Sequence, residues 1–256
     1  MKVPSIVNRL RLSCCAALLL LAAGAARADL RVDVTRGVTD PVPVAVVPFA
    51  RAVPADGGLD VAGVIERDLA STGRFRGLPR PGMPAQPTAA SGVDAAAWRA
   101  ARTDYVVVGR VAAGNGANVA LHFELVNVLT GQVLLTEQVS VPQSAIRNGA
   151  HRVADRIYEK ITGVRGAFAT RIAYVAVAGT PPAQRYQLLV ADADGENPRI
   201  AMQSSQPIMS PAWSADGEWL AYVSFENRAA AVFVQRVRTG ERRQVSARAG
   251  VNGAPA

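Results

Sequence analysis

Few residues in this chain are of a type that does chemistry, and their spacing limits what they can do. Outside the first thirty residues there are two histidines, His122 and His151, and no cysteine. His122 falls in an alternating apolar pattern and His151 in a helical one. Neither has a second ligand at metal-binding spacing, so both read as structural or surface residues. No Gly-x-Ser-x-Gly elbow is present, which leaves a serine hydrolase without its nucleophile signature. The segment GNGANV, 114–119, has the glycines of a phosphate loop but not its lysine, and sits where a hairpin is expected. DADGENP, 192–198, has the alternating acids of a calcium loop, but Gly195 comes too early and the distal glutamate is missing. Asp192 and Asp194 could pair as catalytic carboxylates; as neighbours in a turn they are expected to be solvated instead. The expectation is no catalytic residue, no cofactor and no metal.

The formal charge of +8 suggests nucleic acid until the amino terminus is read. Lys2, Arg9 and Arg11 precede a 12-residue apolar block, Leu12 to Ala23, and Ala26-Arg27-Ala28 then offers small residues at a cleavage site. This is the pattern of a secretory signal, with cleavage between Ala28 and Asp29. A spanning helix would need about 20 apolar residues. Removal of 1–28 takes away four basic residues and no acidic ones, so the charge falls to +4. The remaining charges are scattered, which argues against nucleic acid. Cys14 and Cys15 lie inside the signal, ahead of where a lipoprotein cysteine would stand, so the mature product is expected to be thiol-free, unlipidated and periplasmic.

The elements that must position any site follow from periodicity. Asp29 to Val34 alternates as a half-buried strand or an arm able to become one. PVPVAVVPFA is a central strand. DVAGVIERDLASTGRF is a helix with Asp60 as N-cap and Gly73 as its stop. RGLPRPGMPAQPTAASG reads as an irregular surface crossing that Met83 could pin. DAAAWRAAR is a short helix capped by Asp94, with Trp98 facing the core. Three strands follow, joined by Gly114-Asn115-Gly116 and Thr130-Gly131 as tight turns. A long helix then carries Ala150, Val153, Ile157 and Ile161 on one face, with Ser144 as its cap and Gly163 as its end. The order β-β-α-α-β-β-β-α defines a mixed α/β domain over 29–165.

From Arg171 onward only short strands and turns remain. RIAYVAV and WLAYVSF share Ala-Tyr-Val, at 173–175 and 221–223. Gly195 and Gly240 stand 45 residues apart in equivalent turns, and SPA at 210–212 returns as APA at 254–256. A period of roughly 40–45 residues with four strands per unit is the mark of a propeller blade, with a small β-sandwich as the alternative. Trp213 is placed to fill the gap between blades, and Asp216-Gly217 to turn the chain. Residues 166–256 are therefore an incomplete propeller of about two blades. Rings need roughly four to eight, so the sequence is expected to be part of a longer protein, and by itself to expose an apolar blade face and aggregate. The fold class is an α/β domain followed by the first blades of an all-β propeller.

Six stretches, DLRVDVTRGV, PVAVVPFA, AAWRAARTDYVVVGRV, YEKITGVRGAFATRIAYV, PIMSPAWSADGEWLAYVSFE and VNGAPA, resemble the TolB family of the Gram-negative Tol-Pal system, in order from the mature start to the last residue. The resemblance implies an α/β domain, a six-bladed propeller and a non-catalytic role, the protein being a monomer at full length. Members bind the lipoprotein Pal at the mouth of the propeller channel and TolA through the mature N-terminal segment, in a system that keeps the outer membrane attached and constricting during division. Carried over, Asp29, Leu30, Arg31, Val32, Asp33 and Val34 are expected to bind TolA. The loops entering the innermost strands nominate Met209, Ser210, Asn252, Gly253 and Ala254 for Pal. Some four blades of the family pattern are missing, and most of the Pal surface with them. The competing readings are the start of a propeller-gated peptidase, with its active site beyond residue 256, and a ligand-binding propeller in envelope sensing.

Overall fold

In the computed structural model, residues 40–52 and 58–248 are described, together with 250, 252, 253 and 255. The expected signal and the arm at 29–34 lie outside the described residues.

The run after Asp40 forms β1, Val42–Val46, which is central as expected. Its alternation splits the core in two. Val44 and Val46 face a large cluster on one side of the sheet; Ala45 and Val47 face a smaller one on the other. The sheet runs β3-β1-β4-β5-β6, with β2 (Ala50–Arg51) also paired to β4. Here β3 is Phe75–Gly77, β4 Tyr105–Ala113, β5 Asn118–Asn127 and β6 Val133–Pro142. β3 and β4 lie parallel to β1, whereas β4, β5 and β6 form an antiparallel meander through the two expected turns.

Helix α1, Val61–Ser71, starts where Asp60 accepts a 3.0 Å hydrogen bond from Gly63 N. α2, Ala95–Ala100, starts where Asp94 accepts from Ala96 N at 2.9 Å, and Trp98 is fully buried. The crossing between them is more ordered than its composition suggests. Arg76 and Gly77 belong to β3, and Arg80–Gly82 and Ala90–Gly92 form 3₁₀ turns. Met83 pins it as expected, packing with Leu78 and Val93 into the Trp98 cluster.

α3, Ile146–Thr162, corrects one expectation. Ser144 is not its cap: the N-cap is Ala145, with no side-chain hydrogen bond, because Ser144 lies in a 3₁₀ turn, Gln143–Ala145, that leads into the helix. Ala150, Val153 and Ile157 are buried, Ile161 is half-buried against the same cluster, and Gly163 ends the helix at φ +73°. Gly149 allows the helix to approach the sheet. A Cβ there would meet Leu121 Cδ1 at 2.4 Å.

Two sheets follow. The first is β7-β8-β9, comprising Arg171–Ala178, Arg185–Asp192 and Arg199–Ser204. The second is β10-β11-β12-β13, comprising Ile208–Trp213, Trp219–Ser224, Ala231–Arg236 and Arg242–Ser246. The shared Ala-Tyr-Val places β7 opposite β11 in the repeat. Gly195 and Gly240 occupy matching turns at φ +84° and +76°. The blades share one core, in which Leu188 and Val190 of the first meet Ile208, Leu220, Tyr222 and Phe233 of the second. Trp213 packs against this core as expected, with the Arg171 guanidinium 4.8 Å from its ring centre. A buried polar lock ties the blades together. Tyr222 Oη donates to Gln235 Oε1 at 3.0 Å, and Gln235 Nε2 donates to Ala201 O at 2.8 Å. Ala201 lies where the β8–β9 register slips by a residue, so the lock satisfies a carbonyl that the ladder leaves open.

Candidate partner-binding surfaces

β10 carries a proline, Pro211, which cannot donate to a ladder. Its pairing with β11 goes from Met209↔Val223 to Ala212↔Ala221, so β10 holds one extra residue across the bulge. Ser210 sits in that bulge at φ +51°, a conformation that non-glycine residues seldom adopt. Both Met209 and Ser210 are exposed, Met209 by 51%. An exposed thioether beside a bulge suits an apolar protein contact. The other nominated residues divide. Gly253 is exposed. Asn252 is buried: its Oδ1 accepts from Ser246 Oγ at 2.7 Å and Arg248 N at 3.2 Å, and its Nδ2 donates to Arg248 O at 2.6 Å. Its side chain therefore shapes the loop rather than facing outward. Ala254 lies outside the described residues.

The second site joins α1, α3 and the turn after β8. His151 Nδ1 donates to Asp68 Oδ2 at 2.7 Å, with the two side chains only 1% and 3% exposed. His151 Nε2 points toward Asp194 Oδ2, 3.9 Å away. Asp194 is also bonded to Arg147, whose Nε lies 3.5 Å from Asp192. The two loop acids, expected to be solvated, are thus held against the α/β domain by an arginine one helical turn before His151. Burial alone would depress the imidazole pKa. The hydrogen bond to Asp68 and the charges of Asp68 and Asp194 outweigh it, against opposition from Arg147, and the pKa is raised. Burial would likewise raise Asp194, but the hydrogen bonds from Glu196 N and Arg147 and the charges of Arg147 and His151 hold it below the usual carboxylate range. Ligand atoms of Asp68, His151 and Asp194 come within 4.8 Å of one another. They do not form a metal cradle, because His151 turns a different nitrogen to each carboxylate and Arg147 already supplies the positive charge at Asp194.

The link between the domains is also fastened to α3. Asp155 accepts from Phe168 N at 2.7 Å and Ala169 N at 3.2 Å. Phe168 packs edge-on to Tyr158, and Tyr158 to Phe75. Gly166 is needed for this approach, since a Cβ there would lie 2.6 Å from Asp155 Cα. Asp155→Ala would leave two amides unpaired and is expected to destabilise the junction by about 1–3 kcal/mol. Differential scanning calorimetry is expected to give one transition for the parent and two for the variant; a single unshifted transition in the variant would count against the junction role.

Asp68, Arg147 and Asp155 were not picked out by sequence reasoning. Asp68 left a signal, since it stands three residues after Ile65 on the apolar stripe of α1, where an unpaired acid would be costly. The fold and these surfaces define a class: an α/β domain clamped to β-propeller blades, with an exposed bulge at the start of the edge strand β10.

The comparisons agree with that class. The family model described as TolB amino-terminal domain matches residues 30–134, and that described as TolB beta propeller domain matches 158–256. The Tol-Pal system protein TolB of Methylococcus capsulatus is 47% identical over 237 residues, 93% of this chain and 55% of the relative. That of Xylella fastidiosa is 43% identical over 230 residues, covering 88% and 52%. The crystal structure of TolB from Acinetobacter baumannii superposes with a TM-score of 0.74 at 40% identity, over 84% of this chain and 52% of that one. The chain belongs to the TolB family, and spans about half the length of the curated relatives it matches.

Proposed function

We propose that this chain serves as a non-catalytic scaffold of the Tol-Pal system in the periplasm. In this reading residues 1–28 direct export, 29–165 form the α/β domain, and 166–256 belong to the propeller. Residues 29–34 engage TolA by adding a strand to its sheet edge. The loop at Met209 and Ser210, with Gly253 and Ala254, contributes to a Pal contact, and Asn252 holds that loop in shape. The two contacts link Pal to TolA for outer-membrane integrity and constriction at division. The observation that carries the reading is the TolB-family match across both domains. The strained backbone at Ser210, next to an exposed methionine, supports the choice of surface. The peptidase alternative is not favoured, since the relatives reported above carry the Tol-Pal name.

The test uses the mature chain on a biosensor, against purified Pal and TolA domains. Deleting residues 29–34 is expected to abolish TolA capture and leave Pal capture intact. Met209→Asp is expected to weaken Pal at least tenfold, about 1.4 kcal/mol or more, with an unchanged melting curve. Failure of the parent chain to capture either protein would overturn the reading.

A further inference from the structure

A cleft of about 960 Å³ opens between the start of α3 and the blade ends that carry the Asp216-Gly217 turn. Its lining is strongly cationic: Arg147, Arg171, Arg199, Arg236 and Arg238 against Asp192 and Glu218. Three of the arginines are engaged. Arg147 holds the Asp192–Asp194 turn, Arg171 lies over Trp213 and donates to Gly217 O at 2.7 Å, and Arg236 lies over Trp219 with Glu218 3.7 Å away. Arg199 and Arg238 are exposed and make no ion pair or ring contact among the described residues. The amino end of α3, which borders the cleft, has neither a side-chain cap nor an acidic residue in its first turn. The positive end of the helix dipole therefore adds to the potential there. Beside the free arginines, Ile200 is 55% exposed.

We propose that this cleft receives an acidic, partly apolar peptide segment of a partner protein, its carboxylates on Arg199 and Arg238 and an apolar side chain on Ile200. Guanidinium groups pair with carboxylates in a two-pronged geometry, which suits arginine to this task. A phosphate-sized anion would satisfy the charge but leave Ile200 bare and most of the volume unfilled. The cleft lies at the opposite end of β10 from Met209 and Ser210, so it is a surface additional to the Pal contact proposed above.

The test is fluorescence anisotropy of the full chain with a short labelled peptide of glutamate, leucine and serine. Binding should weaken steeply as salt is raised. Arg199→Glu with Arg238→Glu should weaken it at least tenfold without changing the circular dichroism melt. Arg74→Glu with Arg99→Glu, the same charge change on exposed positions of the α/β domain, should alter it less than twofold. Absence of binding by the parent chain overturns the proposal. So does equal loss in both double variants, which would mean diffuse electrostatics. Displacement of the peptide by inorganic pyrophosphate at equal concentration would overturn it in favour of a small-anion site.

Discussion

His151→Ala is expected to cost about 3–5 kcal/mol near neutral pH. The substitution leaves the Asp68 carboxylate 3% exposed and without its partner, and breaking one side of a buried pair is costly because the other side stays out of water. The pH dependence gives a sharper signature. His151 has a raised pKa in the fold, so its contribution is fully present below the unfolded imidazole value of about 6.5. It is lost as pH rises through the folded value. Asp194 works in the other direction: its contribution is present above the unfolded carboxylate value of about 3.9 and is lost as pH falls through its depressed folded value. The groups around the imidazole are Asp68 on α1, Asp194 on the blade turn, and Arg147 and Asp155 on α3 itself. Urea denaturation of the parent should therefore show stability declining from about pH 6.5 upward, with the decline absent in His151→Ala. The Asp68→Ala/His151→Ala pair should cost clearly less than the sum of the single changes. Additive costs with an unchanged pH profile would show that the pair does not act as a unit.

Trp98→Ala should be comparably damaging, at about 3–5 kcal/mol. Trp98 has no exposed surface and fills the cluster behind the sheet, against Ala45, Val47, Val106, Val108 and Val128. It belongs to a helix of six residues, too short to be stable without that packing. Loss of the indole leaves a large cavity and frees the crossing that Leu78, Met83 and Val93 hold down. Small domains are stable by only about 5–15 kcal/mol, so the variant should unfold at a far lower urea midpoint. Trp98→Phe should recover much of the loss. A midpoint within error of the parent would refute the anchoring role.

Where a side chain acts on its own backbone neighbours, the sequence was enough to locate it. Asp60 and Asp94 cap helices, Gly163 ends one, and Gly195 and Gly240 turn the blade strands. Ser144 does not cap α3 because a 3₁₀ turn moves the helix start past it, a choice made by the packing of Ile146 rather than by capping propensity. β3 was hidden for a related reason. Three residues of Phe-Arg-Gly have no periodicity to read, and they become a strand by lying alongside β1.

The candidate surfaces divide along the same line. Met209 and Ser210 are nominated by the repeat and the family resemblance, whereas the bulge that exposes them arises where the β10–β11 register shifts between Met209 and Ala212, beside Pro211, which cannot donate to the ladder. Asn252 has the composition of a surface loop residue, and only the closing of that loop on Ser246 and Arg248 turns its amide inward. The sequence by itself determined the two kinds of domain, the blade period and the family, because each is written in neighbouring residues or at a fixed repeat. The tertiary structure alone decided the partnership of Asp68, His151, Arg147 and Asp194, and the gathering of five arginines around one cleft. Those groups are scattered between positions 68 and 238, and charge interactions depend on distance in space, which chain order does not give.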